Sequence, residues 1–366
     1  MKKNVLYLFV ALSCLDTFEP EGLQTMEGLL VVDGAITSGV TTIELSRTIQ
    51  METEWYNSPV ISEADLYVEC SDGSRFTRTT YSGDGIYEIE TGELQPDKQY
   101  RLHISLDGEA YESEYLSPLL TPEIDSVSWQ KREPGAPVYI TVSTHDEAGQ
   151  SSYYRWTYRE NWEFKSELFA EYGELNQIEM YFDLLTPNNT YYCWGSNHSR
   201  SFVLATSDKL SENIISHKRL VAIPPGDEKI SELYHIAVSQ YQIRKAAYDY
   251  FLNLQKNISQ TGSIFSPIPS EIRGNVHSLT SPGAWVIGYV EVSVASTKEQ
   301  FMPELILAYE EPEKTCSKQI SVSRLDGIIY MMSKGSQSAL YAPRRCLDCT
   351  SRGSKNKPSF WPAGHL

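Results

Sequence analysis

From Leu29 to about Leu120, apolar residues tend to recur at every second position, and turn residues separate the runs. "LLVVDGAIT" is a β-branched run, and "TTIELSRTI" sets Ile43 and Leu45 against polar neighbours. "ADLYVEC" alternates Leu66, Val68 and Cys70. "YRLHISLDGEAYESEYL" reads as a hairpin closing on Asp107-Gly108, and Asp-Gly pairs at 72–73 and 84–85 mark further turns. No period of 3.6 occurs between residues 29 and 118. Strands broken by turns every ~8–12 residues predict an antiparallel β-sandwich, whose general look resembles the immunoglobulin- or transthyretin-like type.

Pro118 and Pro122 interrupt the pattern and set a boundary near residue 120. In "SSYYRWTYRENWEF", Tyr154, Trp156, Tyr158, Trp162 and Phe164 fall on one face, and Tyr153, Arg155, Thr157, Arg159 and Asn161 on the other. That alternation predicts a strand buried on one side. "TYYCWG", "RSFVLAT", "ISHKRLVAI" and "ELYHIAVSQY" continue the strands. The period then changes. Ile243, Ala246, Ala247, Tyr250, Phe251, Leu254 and Ile258 line one face of an amphipathic helix over about 242–258. Gly262 follows its end, and Pro267 and Pro269 forbid its continuation. "WVIGYVEVSVAS" returns to a strand, and residues 300–345 follow neither period clearly. The expected organisation is an acidic sandwich over 27–120, then a larger β-rich domain over 121–366 with one helix and a cysteine-containing tail.

Charge sharpens this division. Residues 14–130 carry 23 acidic against 5 basic side chains, whereas residues 317–366 hold 8 basic and 2 acidic ones. A first third this acidic repels a phosphate backbone, so nucleic acid is not an expected partner. No apolar run reaches the ~18–20 residues of a membrane helix. The opening "MKKNVLYLFVALSCLD" has Lys2-Lys3, an apolar run from Val5 to Leu12, and Ser13-Cys14. It resembles a bacterial lipoprotein signal over 1–13, with Cys14 as the lipidated residue and 14–26 as a tether. Ala11 stands where that signal usually has Leu.

Catalytic patterns are scarce. There is no G-x-S-x-G, H-E-x-x-H, phosphate loop or G-x-G-x-x-G. His145, Asp146 and Glu147 with Glu133 could form a metal cluster, but "THDEAGQSS" reads better as a solvated turn. No catalytic residue, cofactor or metal is expected. The aromatic residues are the better lead, with 24 Tyr and 7 Trp. Trp156, Trp162, Tyr192 and Trp194 are candidates for stacking on a small-molecule or glycan ligand, against the plainer reading that they fill a core.

"CLDC" at 346–349 could hold zinc, run redox chemistry or supply two disulfides. Zinc lacks a second Cys-x-x-Cys, and the motif does not open a helix after a strand. Disulfides remain, with Cys346 and Cys349 each pairing to Cys193 or Cys316, an arrangement suited to an exported protein. Cys70 is the odd one, on a strand.

"QYQIRKAAYDYFLNLQKNISQTGSIFSPIPSEIRGNVHS", "VIGYVEVS" and "CLDCTSRGSKNKPSFWP" resemble signature blocks of a Bacteroidota outer-membrane lipoprotein family, domain of unknown function 4249. "LLVVDGAIT" and "IELSRT" resemble its N-terminal block. The resemblance implies a protein anchored in the outer membrane by its lipid, commonly encoded beside TonB-dependent receptors, with no established activity. The expectation is a non-catalytic accessory protein that helps such a receptor capture or handle a ligand. Ile264, Phe265 and Arg273, in and after the proline loop, are the candidates for the partner surface. The rivals are a surface glycan-processing hydrolase, which needs two carboxylates across a pocket, and a structural adhesion protein.

Overall fold

The computed structural model describes residues 28–48, 60–149, 152–169, 190–199, 201–260, 273–313, 316 and 344–364, with strand segments at 172–175, 178–181, 328–334 and 339–341. In the first region the strands are β1 (Leu30–Ile36), β2 (Gly39–Arg47), β3 (Asp65–Cys70), β4 (Arg75–Phe76), β5 (Thr79–Gly83), β6 (Ile86–Gly92), β7 (Tyr100–Leu106), β8 (Glu109–Ser113) and β9 (Leu119–Leu120). Period-2 patterning dictates their faces. In β7, Tyr100, Leu102, Ile104 and Leu106 point inward and the residues between them outward. Two of the Asp-Gly turns have the backbone the hairpin requires. Asp84 and Gly85 have φ of 50° and 79°, and Asp107 and Gly108 have 52° and 81°. Both central residues in the left-handed region are the mark of a type I′ turn, whose twist matches that of the flanking strands.

The second region contains β10 (Ile124–Gln130), β11 (Val138–His145), β12 (Tyr153–Lys165), β13 (Tyr172–Leu175), β14 (Ile178–Tyr181), β15 (Tyr192–His198), β16 (Val203–Thr206), β17 (Ile214–Ile223) and β18 (Leu233–Gln242). Helix α1 (Lys245–Gln260) follows, then β19 (Val276–Ser278), β20 (Val286–Gly288), β21 (Glu291–Val294), β22 (Ser296–Phe301), β23 (Ile328–Lys334), β24 (Ala339–Tyr341) and α2 (Arg344–Leu347). The fold is mainly β, as the patterning predicted.

Pairing does not follow chain order. One sheet of the first sandwich runs β5-β6-β2-β1-β21-β9, with β20 also on β1, and the other runs β19-β8-β7-β3-β4. Residues 276–294 therefore complete the first sandwich, although they follow the helix in sequence. The returning strands β20 and β21 run parallel to β1, and β9 runs parallel to β21. Val276, Val286, Val290 and Val292 share one buried core with Ile36, Ile43, Val68 and Ile104. The close approach needs small residues. A Cβ on Gly274 would overlap the Gly288 carbonyl oxygen, and one on Gly288 would sit 2.6 Å from the Val32 carbonyl oxygen.

The second sandwich faces β10-β11-β17 against β15-β12-β18-β22, with β16 also on β12. Its core joins Ile140, Val142, Trp156, Phe164, Tyr234 and Ile236. A further sheet runs β14-β13-β23-β24. Strand β12 departs from the one-sided burial its alternation predicted, because Arg155 and Glu163 on its other face are buried too. Helix α1 covers the first of these, with Phe251 under the Arg155 guanidinium, and the C-terminal tail covers the second through Trp361.

The two sandwiches are joined where α1 begins. Arg244 donates from its backbone N–H to Glu291 at 2.9 Å, pairs with the same carboxylate through its guanidinium, and reaches the Ser117 carbonyl at 2.6 Å. Glu291 thus places negative charge beside a helix N-terminus, where the dipole favours it. Ile243, Ala247, Tyr250 and Phe251 pack with Leu204 and Tyr289 beneath the helix. Ala246, at the edge of the predicted stripe, is exposed.

Candidate functional site

Between β4 and β5 the chain crosses from one sheet of the first sandwich to the other. Thr79 Oγ1 donates to the Leu66 carbonyl at 2.7 Å and fixes the crossing. Beside it is a cleft of about 760 Å³ whose lining includes Glu63, Asp65, Tyr67, Tyr81, Tyr87 and Asp107. Tyr87 is buried, and its hydroxyl donates to the Ile61 carbonyl at 2.9 Å. Burial pushes its phenol upward, and Tyr81, Glu63 and Asp65 push it the same way. The Tyr81 ring lies 5.2 Å from that of Tyr87 and is 41% exposed. Asp107, on the rim, pairs with Arg47 at 2.7 Å. Glu63 and Asp65 are exposed and have no cationic partner among the described residues.

A charged network stiffens one side of the cleft. The Tyr67 ring stacks on His103 at 4.4 Å, and the Arg75 guanidinium lies 4.8 Å from the same ring. Both neighbours are tied down in turn. Glu69 accepts from Arg101, Tyr115 and Arg75, and the Arg101 hydrogen bond is the largest cause holding its carboxyl down at about 2. Arg101 also pairs with Glu112, which lies 3.2 Å from His103 Nδ1. The cleft is therefore an open, negatively charged trough with a preorganised wall. Its acceptor groups and exposed aromatic edge suit recognition of donors and cations.

The aromatic residues singled out in the sequence do not line this cleft. Trp156 is fully enclosed, stacks on Tyr154 at 5.7 Å and donates from Nε1 to Gln240 at 2.8 Å. Trp162 is buried against Gly195, with Lys229 Nζ 5.0 Å from its ring centroid. Trp194 is buried with Leu233 and Trp361. Tyr192 is half-buried and meets Tyr191 edge-on at 4.9 Å. Trp156, Trp162 and Trp194 are thus all buried, whereas Tyr192 stays partly exposed.

Each tail cysteine takes a distant partner. Cys193 is bonded to Cys349 and Cys316 to Cys346, with Cα–Cα distances of 5.7 and 5.8 Å. Cys70 is free and buried. The first bond seats the tail along β15, where Ser354 exchanges backbone hydrogen bonds with Trp194 at 2.8 and 2.9 Å. Trp361 then buries its ring and donates to Glu163 at 3.1 Å. Phe360 covers His235 at 4.8 Å but remains half exposed.

Cys14, Ile264 and Phe265 lie outside the described residues. Arg273 is exposed, with its guanidinium 4.9 Å from the Trp285 ring centroid. His145 Nδ1 sits 2.7 Å from Asp125 Oδ1. Among the described residues no three His, Cys, Asp or Glu side chains converge as a metal site, and no helix is long and apolar enough to cross a membrane. Sequence reasoning missed the cleft because its walls come from four separated stretches of chain. The uncharged, proline-free "TTYSG" at 79–83, which forms the edge strand beside the cleft, is a local signal in the sequence.

A family model described as Domain of unknown function (DUF4249) matches residues 16–299. No curated protein matches the chain.

Proposed function

The chain belongs to the DUF4249 family, and we propose that it is a lipid-anchored, non-catalytic accessory protein of the outer membrane that works with a TonB-dependent transporter in ligand capture or uptake. The observation that carries this reading is the pair of disulfides. Cys193–Cys349 and Cys316–Cys346 tie the tail to the body, and such bonds persist in oxidising, exported locations. The lipoprotein-like start with Cys14 supplies the anchor. The open trough on the acidic sandwich supports binding, since a recognition surface needs exposed, fixed groups rather than an enclosed reaction chamber. The test is purification of a tagged chain from native membranes in mild detergent. Recovery of a large barrel protein at near-equal amount supports the reading; recovery of the chain alone overturns it. Labelling with palmitate should be lost in Cys14→Ala.

One observation favours a second reading. Glu63, Asp65 and Asp107 line a single cleft, and paired carboxylates are what glycoside hydrolysis requires. All three are exposed, whereas the general acid of such a pair is normally raised by enclosure. Release of nitrophenol from aryl glycosides, abolished in Glu63→Gln, would replace the accessory reading with this one.

A further inference from the structure

Strand β5 is an edge. It pairs with β6 and, among the described residues, with nothing on its other side. Thr79, Thr80 and Tyr81 are in regular register with Ile89, Glu88 and Tyr87 before the register shifts at Gly83. Exposed edges are ordinarily blunted by brevity, by charge or by proline. The other edges of the two sandwiches follow that rule or are covered, apart from the four-residue β16, whose Val203 and Leu204 are buried. Strands β4 and β9 have two residues and β19 has three. Strand β10 carries Asp125, β17 carries Lys218 and Arg219, and β22 carries Lys298 and Glu299. Strand β15 meets Ser354 of the tail. Strand β5 reads Thr-Thr-Tyr-Ser-Gly, with good strand formers, no charge and no proline, and Thr80, Tyr81 and Ser82 are exposed.

What lies beside the edge selects its occupant. The cleft runs from Thr79 and Tyr81 to Glu63, Asp65 and Asp107. Glu63 and Asp65 lack a cationic partner among the described residues, and the nearby base Arg78 is already paired with Glu90 at 2.7 Å. Residues 14–130 as a whole carry 23 acidic and 5 basic side chains. A second copy of the same edge would bring two such surfaces together, so repulsion opposes self-pairing. We propose that β5 accepts an extended, lysine- or arginine-bearing polypeptide segment as an added strand. The segment's backbone would pair with Thr79–Ser82, and its basic side chains would enter the cleft toward Glu63 and Asp65. Backbone pairing gives such a contact its affinity and side-chain pockets give it selectivity. The proposal stands independently of the anchor and the transporter.

The test uses the full-length chain and a blocked octapeptide alternating lysine with valine or threonine, beside a counterpart with glutamate for lysine. Calorimetry should show saturable binding of the lysine peptide that weakens as salt rises from about 50 to about 300 mM, because surface charges are screened. Amide exchange should slow at residues 79–83. Thr80→Lys, which restores the missing guard, and the pair Glu63→Gln with Asp65→Asn should each weaken binding about tenfold or more while the melting temperature holds. The idea is overturned by no saturable binding, by equal binding of the glutamate peptide, by protection elsewhere, or by indifference to both sets of variants.

Discussion

Arg155 Nη2 lies 2.7 Å from one carboxylate oxygen of Asp33 and 2.8 Å from the other, and this pair links β12 of the second sandwich to β1 of the first. Arg155 is 7% exposed, and its guanidinium also lies 4.6 Å from the Phe251 ring centroid. Asp33→Ala would leave a buried cation facing apolar rings. The expected loss is about 2–4 kcal/mol, somewhat below that of a fully buried pair because Asp33 is partly exposed. Replacing both residues, Asp33→Ala with Arg155→Met, should cost less than the sum of the single changes. Urea denaturation of the four proteins measures the coupling.

The two disulfides should separate experimentally. Cys193–Cys349 spans 156 residues and Cys316–Cys346 spans 30. Loop entropy gives the longer closure about 5 kcal/mol and the shorter about 4 kcal/mol, as upper values. Cys193→Ala with Cys349→Ala should therefore be the more destabilising pair and should expose residues 352–364 to protease. Cys316→Ala with Cys346→Ala should leave Trp361 protected. Mass mapping of limited digests distinguishes the two, and the first sandwich should stay intact in both.

Acid should act through Glu69. Its folded-state value of about 2 lies below the ordinary 4.5, chiefly through the Arg101 hydrogen bond. A depressed carboxyl contributes stability that is fully present above 4.5 and is lost as pH falls toward 2. Glu69→Gln should lower stability at neutral pH by about 1–3 kcal/mol, since it removes a charged acceptor from three donors. The variant's melting temperature should approach that of the unsubstituted chain as pH falls from 5 to 2.5. A constant gap across that range would rule out Glu69 as the acid-sensitive group.

Much of the fold was legible because its signals are local. The Asp-Gly turns at 84–85 and 107–108, the alternation in β7 and the apolar stripe of α1 each lie within one short window. Three features were not legible, and each depends on chain far away. The second face of β12 is covered by α1 and by the tail, so Arg155 and Glu163 read as solvent-facing until those neighbours are placed. The return of 276–294 to the first sandwich is a matter of topology, and "WVIGYVEVSVAS" reads as the same buried strand wherever it docks. The tryptophans were open to either reading, because an aromatic residue on a strand has one pattern whether its sheet face is covered or free. For the cysteines, exclusion of zinc and redox roles reached disulfides, but choosing between the two long-range pairings needed coordinates.

That return of 276–294 can be tested at one residue. A Cβ at Gly274 would overlap the Gly288 carbonyl oxygen, which belongs to backbone and cannot rotate away. Next to it, Asn275 is buried and exchanges hydrogen bonds with the backbone of Val290 at 2.9 and 2.8 Å. Gly274→Ala should displace β19 and β20 from the first sandwich and cost about 3 kcal/mol or more, at the upper end of overpacking effects. Amide exchange would report it as faster exchange at 276–294 together with β1 and β8. Gly283→Ala is the matched control for space, since nothing lies within 4 Å of its Cβ, although its φ of 97° adds local strain. It should leave the exchange of β1 and β8 unchanged.

Phe360 and Trp361 are adjacent, and both are aromatic, yet they should differ sharply. Trp361 is 5% exposed and packs with Trp194 and Leu233, whereas Phe360 is 49% exposed over His235. Truncating a buried aromatic costs about 3–5 kcal/mol. A half-exposed ring loses part of its transfer energy, about 1 kcal/mol. Trp361→Ala should also remove a hydrogen bond to Glu163, a carboxylate that is 2% exposed. Trp361→Phe keeps an aromatic ring in the site but is smaller by three ring atoms, the N–H donor among them, so a modest packing loss accompanies the lost hydrogen bond. If the strap is held by packing, Trp361→Phe should retain most of the stability that Trp361→Ala loses. If it is held by the hydrogen bond, the two variants should fall together, and urea midpoints at fixed pH decide between them.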